Sequence, residues 1–127
     1  MLNGKLAVIT GGGTGIGLAC AEKLSSMGAR TILMGRNLQR LQDAALKIDG
    51  ARAVQLDVTS DESVAAAFAE AAQDGPVDIL VNNAGIAAAT AFHKTSMEEW
   101  ARIQAVNVEG LVRCSQAVLG DMKQATY

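Results

Sequence analysis

The chain has 127 residues, enough for one hydrophobic core and therefore one domain, 1–127. Half of the residues are hydrophobic but only 3% are aromatic, so the core must be aliphatic. A formal charge of -2 gives no electrostatic case for nucleic acid or an anionic membrane, and no run approaches the roughly 20 apolar residues of a spanning helix.

Taken in chain order, two periods alternate. Apolar runs at 5–10, 31–34, 51–56 and 77–81 read as strands buried on both faces, which points to a parallel sheet. Between the first two, Ile16, Cys20, Leu24 and Met27 recur at helical spacing, and Gly28 is a stop signal. Leu38, Leu41, Ala45 and Ile48 make a second stripe ended by Gly50. Val64, Phe68 and Ala71 share a face of a third helix, opened by Ser60 with Asp61 and Glu62 in its first turn. Gly75-Pro76 breaks the chain before the fourth strand. Residues 86–95, IAAATAFHKT, have no period and read as a loop. Ser96 and Glu99 form a capping box for a further helix. Val108, Leu111, Val112, Ser115, Leu119 and Met122 form the longest stripe, running nearly to Tyr127. Strands alternating with helices predict an α/β, Rossmann-like doubly wound parallel sheet with right-handed crossovers.

Residues 10–17, TGGGTGIG, hold five of the 13 glycines. They fall where a strand hands over to a helix, whose unpaired N–H groups and positive dipole end favour a pyrophosphate. Gly11 permits the tight turn, Gly15 close approach, and Gly17 contact of the helix with the first strand. The spacing is T-G-x-x-x-G-x-G; G-x-G-x-x-G does not fit, and no Gly-Lys-Ser/Thr follows for a phosphate-loop NTPase. A turn that only packs tightly is the plain alternative. The two cysteines, Cys20 and Cys114, lack metal or redox spacing and read as small buried residues, and no cluster for a metal is present. With too short an apolar run for a signal peptide in MLNGKLAVIT, the expected location is the cytoplasm.

With TGGGTGIG at 10–17, LDV at 56–58, NNAG at 82–85 and VNVEG at 106–110, the chain resembles the short-chain dehydrogenase/reductase family along its whole length. The resemblance implies an oxidoreductase that moves a hydride between a nicotinamide dinucleotide and a carbonyl or alcohol substrate. It implies that the backbone of Gly11, Gly12, Gly13 and Thr14, with Gly15, Ile16 and Gly17, faces the pyrophosphate. Asp57 would accept from the adenine amino group, beside the backbone of Val58. Asn83, Ala84 and Gly85 would line the adenosine ribose, and Asn82 would tie strands together. Asn107 matches the family's catalytic asparagine; a polar residue interrupting a helix and bonding to backbone is its alternative. The resemblance also implies strand order 3-2-1-4, a dimer or tetramer pairing the long helix, and a fourth strand left as an exposed edge.

The end of the second strand reads MGRN. Gly35 takes the place where an acid would bind the ribose hydroxyls of NAD, and Arg36 follows, suited to a 2′-phosphate. NADP is therefore the expected cofactor and NAD the alternative. The family's serine and tyrosine-x-x-x-lysine have no counterpart: Tyr127 is the one tyrosine, and His93 reads as a loop surface residue. The chain is expected to be the cofactor-binding half of such an enzyme, stopping after about four strands and inactive alone. Two other classes compete: a non-catalytic nucleotide-binding or regulatory module, and a methyltransferase, since GTGIG also contains G-x-G-x-G. Gly35-Arg36 and NNAG speak against the last. The apolar segment 86–95 leaves the substrate open between acyl-thioester, lipid-like and small-ketone classes.

Overall fold

The structure is a computed structural model that describes residues 1–125. Four strands form one parallel sheet: β1 (Leu6–Thr10), β2 (Arg30–Gly35), β3 (Arg52–Gln55) and β4 (Ile79–Val81). Their order is β3-β2-β1-β4, as expected from the resemblance. The register pairs Val8 with Ile32 on one side and with Leu80 on the other. Ile32 in turn faces Arg52. β1 is buried along its whole length, the mark of a strand covered on both faces. β4 lies at the sheet edge, and its three residues are only half-buried.

Helices cover both faces because successive strand side chains point opposite ways. Ala7, Ile9 and Leu33 pack with Ala21 of α1 (Gly15–Ser26) and Leu41 and Ala44 of α2 (Leu38–Ala45). Leu6, Val8, Ile32 and Met34 pack on the other face with Val64 and Phe68 of α3 (Asp61–Ala71). That same cluster takes in Cys114 and Val118 of α5 (Gly110–Ala125). α4 (Met97–Gln104) leads into α5 through a π-helical turn, Ala105–Glu109, so residues 97–125 form one continuous rod. Of the expected stops, Gly28 follows the end of α1 with φ of 100°, open to glycine without strain. α2 ends earlier than expected, at Ala45 with Leu46 as its cap, so Gly50, at φ of 73°, turns the chain beyond the helix and does not end it.

Two helical stripes are turned from where the sequence places them. In α1 the buried residues are Gly17 and Ala21, whereas Ile16 is exposed and Cys20 and Leu24 are half-buried. A Cβ on Gly17 would overlap the Gly11 carbonyl oxygen and the Asn83 amide. α1 therefore turns its smallest residues to the sheet in order to approach it. In α5 the buried residues are Gly110, Cys114 and Val118. Val108, Leu111, Val112 and Leu119 remain about half-exposed, and of the expected stripe Met122 packs against the core. The cause is again a close approach, because a Cβ on Gly110 would lie 2.6 Å from the Val58 Cγ2. Tyr127 lies outside the described residues.

Gly17→Ala is expected to lower the melting temperature by at least about 5 °C, because its methyl group displaces α1 from β1. A melting curve that overlays the parent's contradicts the close approach. Burial raises the Cys114 thiol to about 11. At pH 8 only about one molecule in a thousand carries the thiolate, so Cys114 should resist alkylation in the folded chain and react once denatured. Peptide mass spectrometry after iodoacetamide treatment reads the difference.

Candidate functional site

At the carboxyl ends of the strands, between β1 and β4, the strand order reverses, and a crevice of about 310 Å³ opens there. Thr10 and Gly11, Gly35 and Arg36, Asp57 and Val58, and Ala84 and Gly85 line it, one pair from each strand end. A broader groove of about 680 Å³ runs from Arg36 and Asp57 past Gln42 and Glu70 along the open edge of β3. The smaller crevice has Thr10 and Gly11 of the glycine loop in its wall, and a shallow hollow beside it is lined by Gly11, Gly13 and Thr14 with Arg36 and Arg40.

The loop is built by main-chain constraints. Gly11 and Gly15 adopt φ of 65° and 57°, the left-handed region that disfavours a side chain. The N–H groups of Gly11 and Gly12 donate to the Met34 carbonyl at 2.7 and 3.3 Å. Gly12 is buried, with the Ile9 carbonyl 2.9 Å from where its Cβ would stand. These two amides therefore shape the loop and do not point into the crevice, in contrast to the sequence expectation. Thr14, Gly15 and Ile16 are exposed around the first turn of α1.

That helix start is chemically distinct. Asn37, Ser60 and Ser96 each cap their helices, accepting from Arg40, Ser63 and Glu99 N–H respectively. Thr14 makes no side-chain cap, and the first turn of α1 holds no acid. First-turn amides have no partner within their helix, so the positive end of α1 faces the loop without a built-in counter-charge. An anion can supply it, and nothing bulkier than hydrogen stands on Gly15 to hold it off: its missing Cβ points into open space.

A polar clasp fastens β4 to this loop. Thr10 Oγ1 accepts from the N–H groups of Asn83 and Ala84, both at 3.0 Å. Asn83 Nδ2 donates to the Gly11 carbonyl at 3.1 Å. The strand-tying role expected of Asn82 thus belongs to Asn83. Asn82 is exposed and donates instead to Ser115 Oγ on α5, at 3.1 Å.

Asn107 lies in the π-helical turn and grips one residue with both ends of its amide. Its Oδ1 accepts from Ile86 N–H and its Nδ2 donates to Ile86 O, each at 2.8 Å. The backbone-bonding alternative describes this geometry. It also fixes the exit of Gly85, whose missing Cβ would lie 3.4 Å from Asn107 Oδ1.

Asp57 is held in a tight turn. Its Oδ1 accepts from the Thr59 hydroxyl at 2.7 Å and the Thr59 N–H at 2.9 Å. These bonds, aided by the Arg36 and Arg113 charges and opposed by partial burial, hold the carboxyl below its usual value. The cap of the next helix, α3, is Ser60 and not Asp57. Val58 is buried, its side chain turned away to Gly110. Arg36 is exposed in the crevice wall, and Gln55 Nε2 donates to its carbonyl at 3.1 Å, steadying the β2–α2 turn.

Two residues escaped the sequence reading. Arg40, in the first turn of α2, lines the same crevice as Arg36, which lies before the Asn37 cap, and a second arginine four residues on was the available signal. Arg113 reaches from α5 to the Asp61 carboxylate, and nothing local in the sequence announces a contact 52 residues away. His93 is exposed in a short turn, Phe92–Lys94, and Phe92 beside it is 89% exposed. Among the described residues no group of three potential metal ligands forms, and no helix is long and apolar enough to cross a membrane.

Comparison with known proteins agrees with this arrangement. The family model described as short chain dehydrogenase matches residues 5–127. Galactitol 2-dehydrogenase (L-tagatose-forming) of Cereibacter sphaeroides is 42% identical over 118 residues, 91% of this chain and 46% of that protein. The NADP-dependent (R)-specific alcohol dehydrogenase of Lentilactobacillus kefiri is 40% identical over 115 residues, 87% of this chain and 45% of that protein. The crystal structure of 3-ketoacyl-(acyl-carrier-protein) reductase from Brucella melitensis complexed with NADH superposes with a TM-score of 0.94 at 35% identity. That superposition covers 98% of this chain and 52% of the reductase chain. The chain thus spans about half the length of the curated relatives it matches. With the sheet order, the glycine loop and the matched span in agreement, this chain belongs to the short-chain dehydrogenase family.

Proposed function

We propose that these residues form the dinucleotide-binding half of an NAD(P)-dependent oxidoreductase acting on a carbonyl or alcohol substrate. The observation that carries the reading is the uncapped, acid-free start of α1, set behind a glycine loop at the point where the strand order reverses. The residues fit a dinucleotide at each part of the crevice. The main chain of residues 13–17 offers amides to a pyrophosphate, with no side chain at Gly13 or Gly15 to hold it off, and Gly11 and Gly12 set the turn. Asp57 keeps one carboxylate oxygen outside its turn for an adenine amino group, beside Val58. Asn83, Ala84 and Gly85 form the wall for the adenosine ribose. Bound there, the nicotinamide supplies or accepts the hydride. Asn107 holds the Gly85–Ile86 main chain that borders the reaction space.

Arg36 favours NADP, because no acid stands at Gly35 to repel a 2′-phosphate and a guanidinium is at hand. NAD is the alternative; of the two relatives whose names specify a cofactor, one is NADP-dependent and the other was crystallised with NADH. The serine and the tyrosine–lysine pair of the family have no counterpart among the described residues, so residues 1–127 alone are expected to bind cofactor and turn over no substrate. The half-exposed Val108 of the π-helical turn and Leu111, Val112 and Leu119 of α5 support a homo-oligomer. The cytoplasm is the proposed location, supported by two cysteines without redox spacing, of which Cys114 is buried.

Calorimetric titration tests the cofactor. NADPH should bind at least about tenfold more tightly than NADH, and Arg36→Ala should remove most of that difference while leaving NADH unchanged. Equal binding of the two, indifferent to Arg36, overturns the preference. Asp57 sets the pH behaviour. Because its folded value is lowered, the carboxylate stays charged from about pH 5 to pH 8 and its contribution to binding should be flat there. That contribution is lost only as pH falls through the lowered value. Asp57→Asn should weaken binding by the same factor at pH 5 and pH 8.

A further inference from the structure

The turn of residues 57–58 forms one wall of the crevice, and its braces are of two kinds. Local ones come from α3 and the turn itself. Ser63 Oγ accepts from Asp57 N–H at 2.8 Å, and Thr59 donates twice to Asp57 Oδ1. The others come from α5, more than 50 residues along the chain. Arg113 Nε donates to Asp61 Oδ1 at 2.7 Å, and Arg113 Nη1 donates to the Val58 carbonyl at 3.3 Å. Beside them Gly110, bare of a Cβ, leaves room for the Val58 side chain.

We propose that Arg113 is a positioning residue for the adenine end of the dinucleotide site, holding the 57–58 main chain against α5 without touching the ligand. The inference rests on the dinucleotide-binding reading of the crevice. A guanidinium is planar and carries several donors in fixed directions, so one side chain can hold the start of α3 and the carbonyl of Val58 together. Its stem is partly covered, with 26% of the side chain exposed, whereas Asp61 is 83% exposed. An ion pair that wet contributes little to global stability. Its effect is therefore local, on where the crevice wall stands. Lysine, a single flexible ammonium, can meet Asp61 or Val58 but not direct bonds to both.

Calorimetry with NADPH, and with 2′,5′-ADP as the adenosine end alone, tests this on the parent chain and on Arg113→Met, Arg113→Lys and Asp61→Asn. Methionine keeps an apolar stem and removes both directed bonds. Arg113→Met should weaken both ligands by about 5- to 10-fold with the melting temperature within about 3 °C of the parent. Arg113→Lys should fall between the two. Asp61→Asn, which leaves the bond to Val58, should lose less than Arg113→Met. A parent that binds and an Arg113→Met that binds equally well overturn the inference alone. So does weakening of NADPH without 2′,5′-ADP, since the effect then lies away from the adenine. A loss in Asp61→Asn as large as in Arg113→Met, with a falling melting temperature, assigns Arg113 a merely structural role and also overturns it. Should Arg113→Met fail to fold, Arg113→Lys decides: parent-like affinity overturns the inference, and partial loss at unchanged melting temperature supports it. A parent that binds neither NADPH nor NADH overturns the reading of the crevice, and the inference with it.

Discussion

The contact between the start of α1 and the end of β1 governs where the rest of the site can stand. Gly17 lies so near the Gly11 carbonyl oxygen that no Cβ fits between them, and the Asn83 amide donates to that same oxygen. Helix, loop and the end of β4 therefore meet on a handful of main-chain atoms. Each larger side chain there would push one of the three away. The Thr10 hydroxyl adds the second fastening, receiving the N–H groups of Asn83 and Ala84. What is left at the surface is a helix end with no side-chain cap and no acid, preceded by a loop of three successive glycines and Thr14.

The opposite wall follows the same logic with different atoms. Gly110 lets α5 approach Val58, and Arg113 then reaches the Val58 carbonyl and Asp61. Between these walls, Asn107 holds the chain leaving β4 by both atoms of its amide. Its π-helical turn is where the rod of residues 97–125 departs from regular helix, a form of irregularity often found beside functional groups. The crevice is thus bounded on each side by polar side chains that hold main chain, Thr10, Asn83, Asn107 and Arg113 among them. Rigid walls of this kind let a ligand bind without first ordering them.

Much of this was legible in the residues. The four strands, the helix starts at Ser60 and Ser96, and the stop at Gly28 follow from local preference and burial period, and the structure agrees. The tight turn at Gly11 and the close approach at Gly17 were readable because steric exclusion leaves glycine as the one residue that serves. Misreadings arose where a helix was judged by its largest apolar residues. In α1 and α5 the face nearest the sheet carries glycine, alanine and cysteine, and the bulkier Ile16, Leu111 and Leu119 stay exposed. Hydrophobic period marks the side a helix can bury, but close approach selects the side with the least volume.

The asparagine pair shows the same boundary. NNAG announced polar work at the end of β4, yet which amide reached Gly11 and which reached Ser115 depended on how the chain leaves a short edge strand. The placement of strands and helices and the glycine turn after β1 were determined by the sequence alone, because each rests on properties of single residues or near neighbours; strand order was expected only through the family resemblance. Helix rotation, the sharing of Asn82 and Asn83, and the reach of Arg113 to a turn 55 residues away were decided only by the tertiary structure. Those depend on the distance between surfaces, and distance is set by packing of the whole core, which no local pattern encodes.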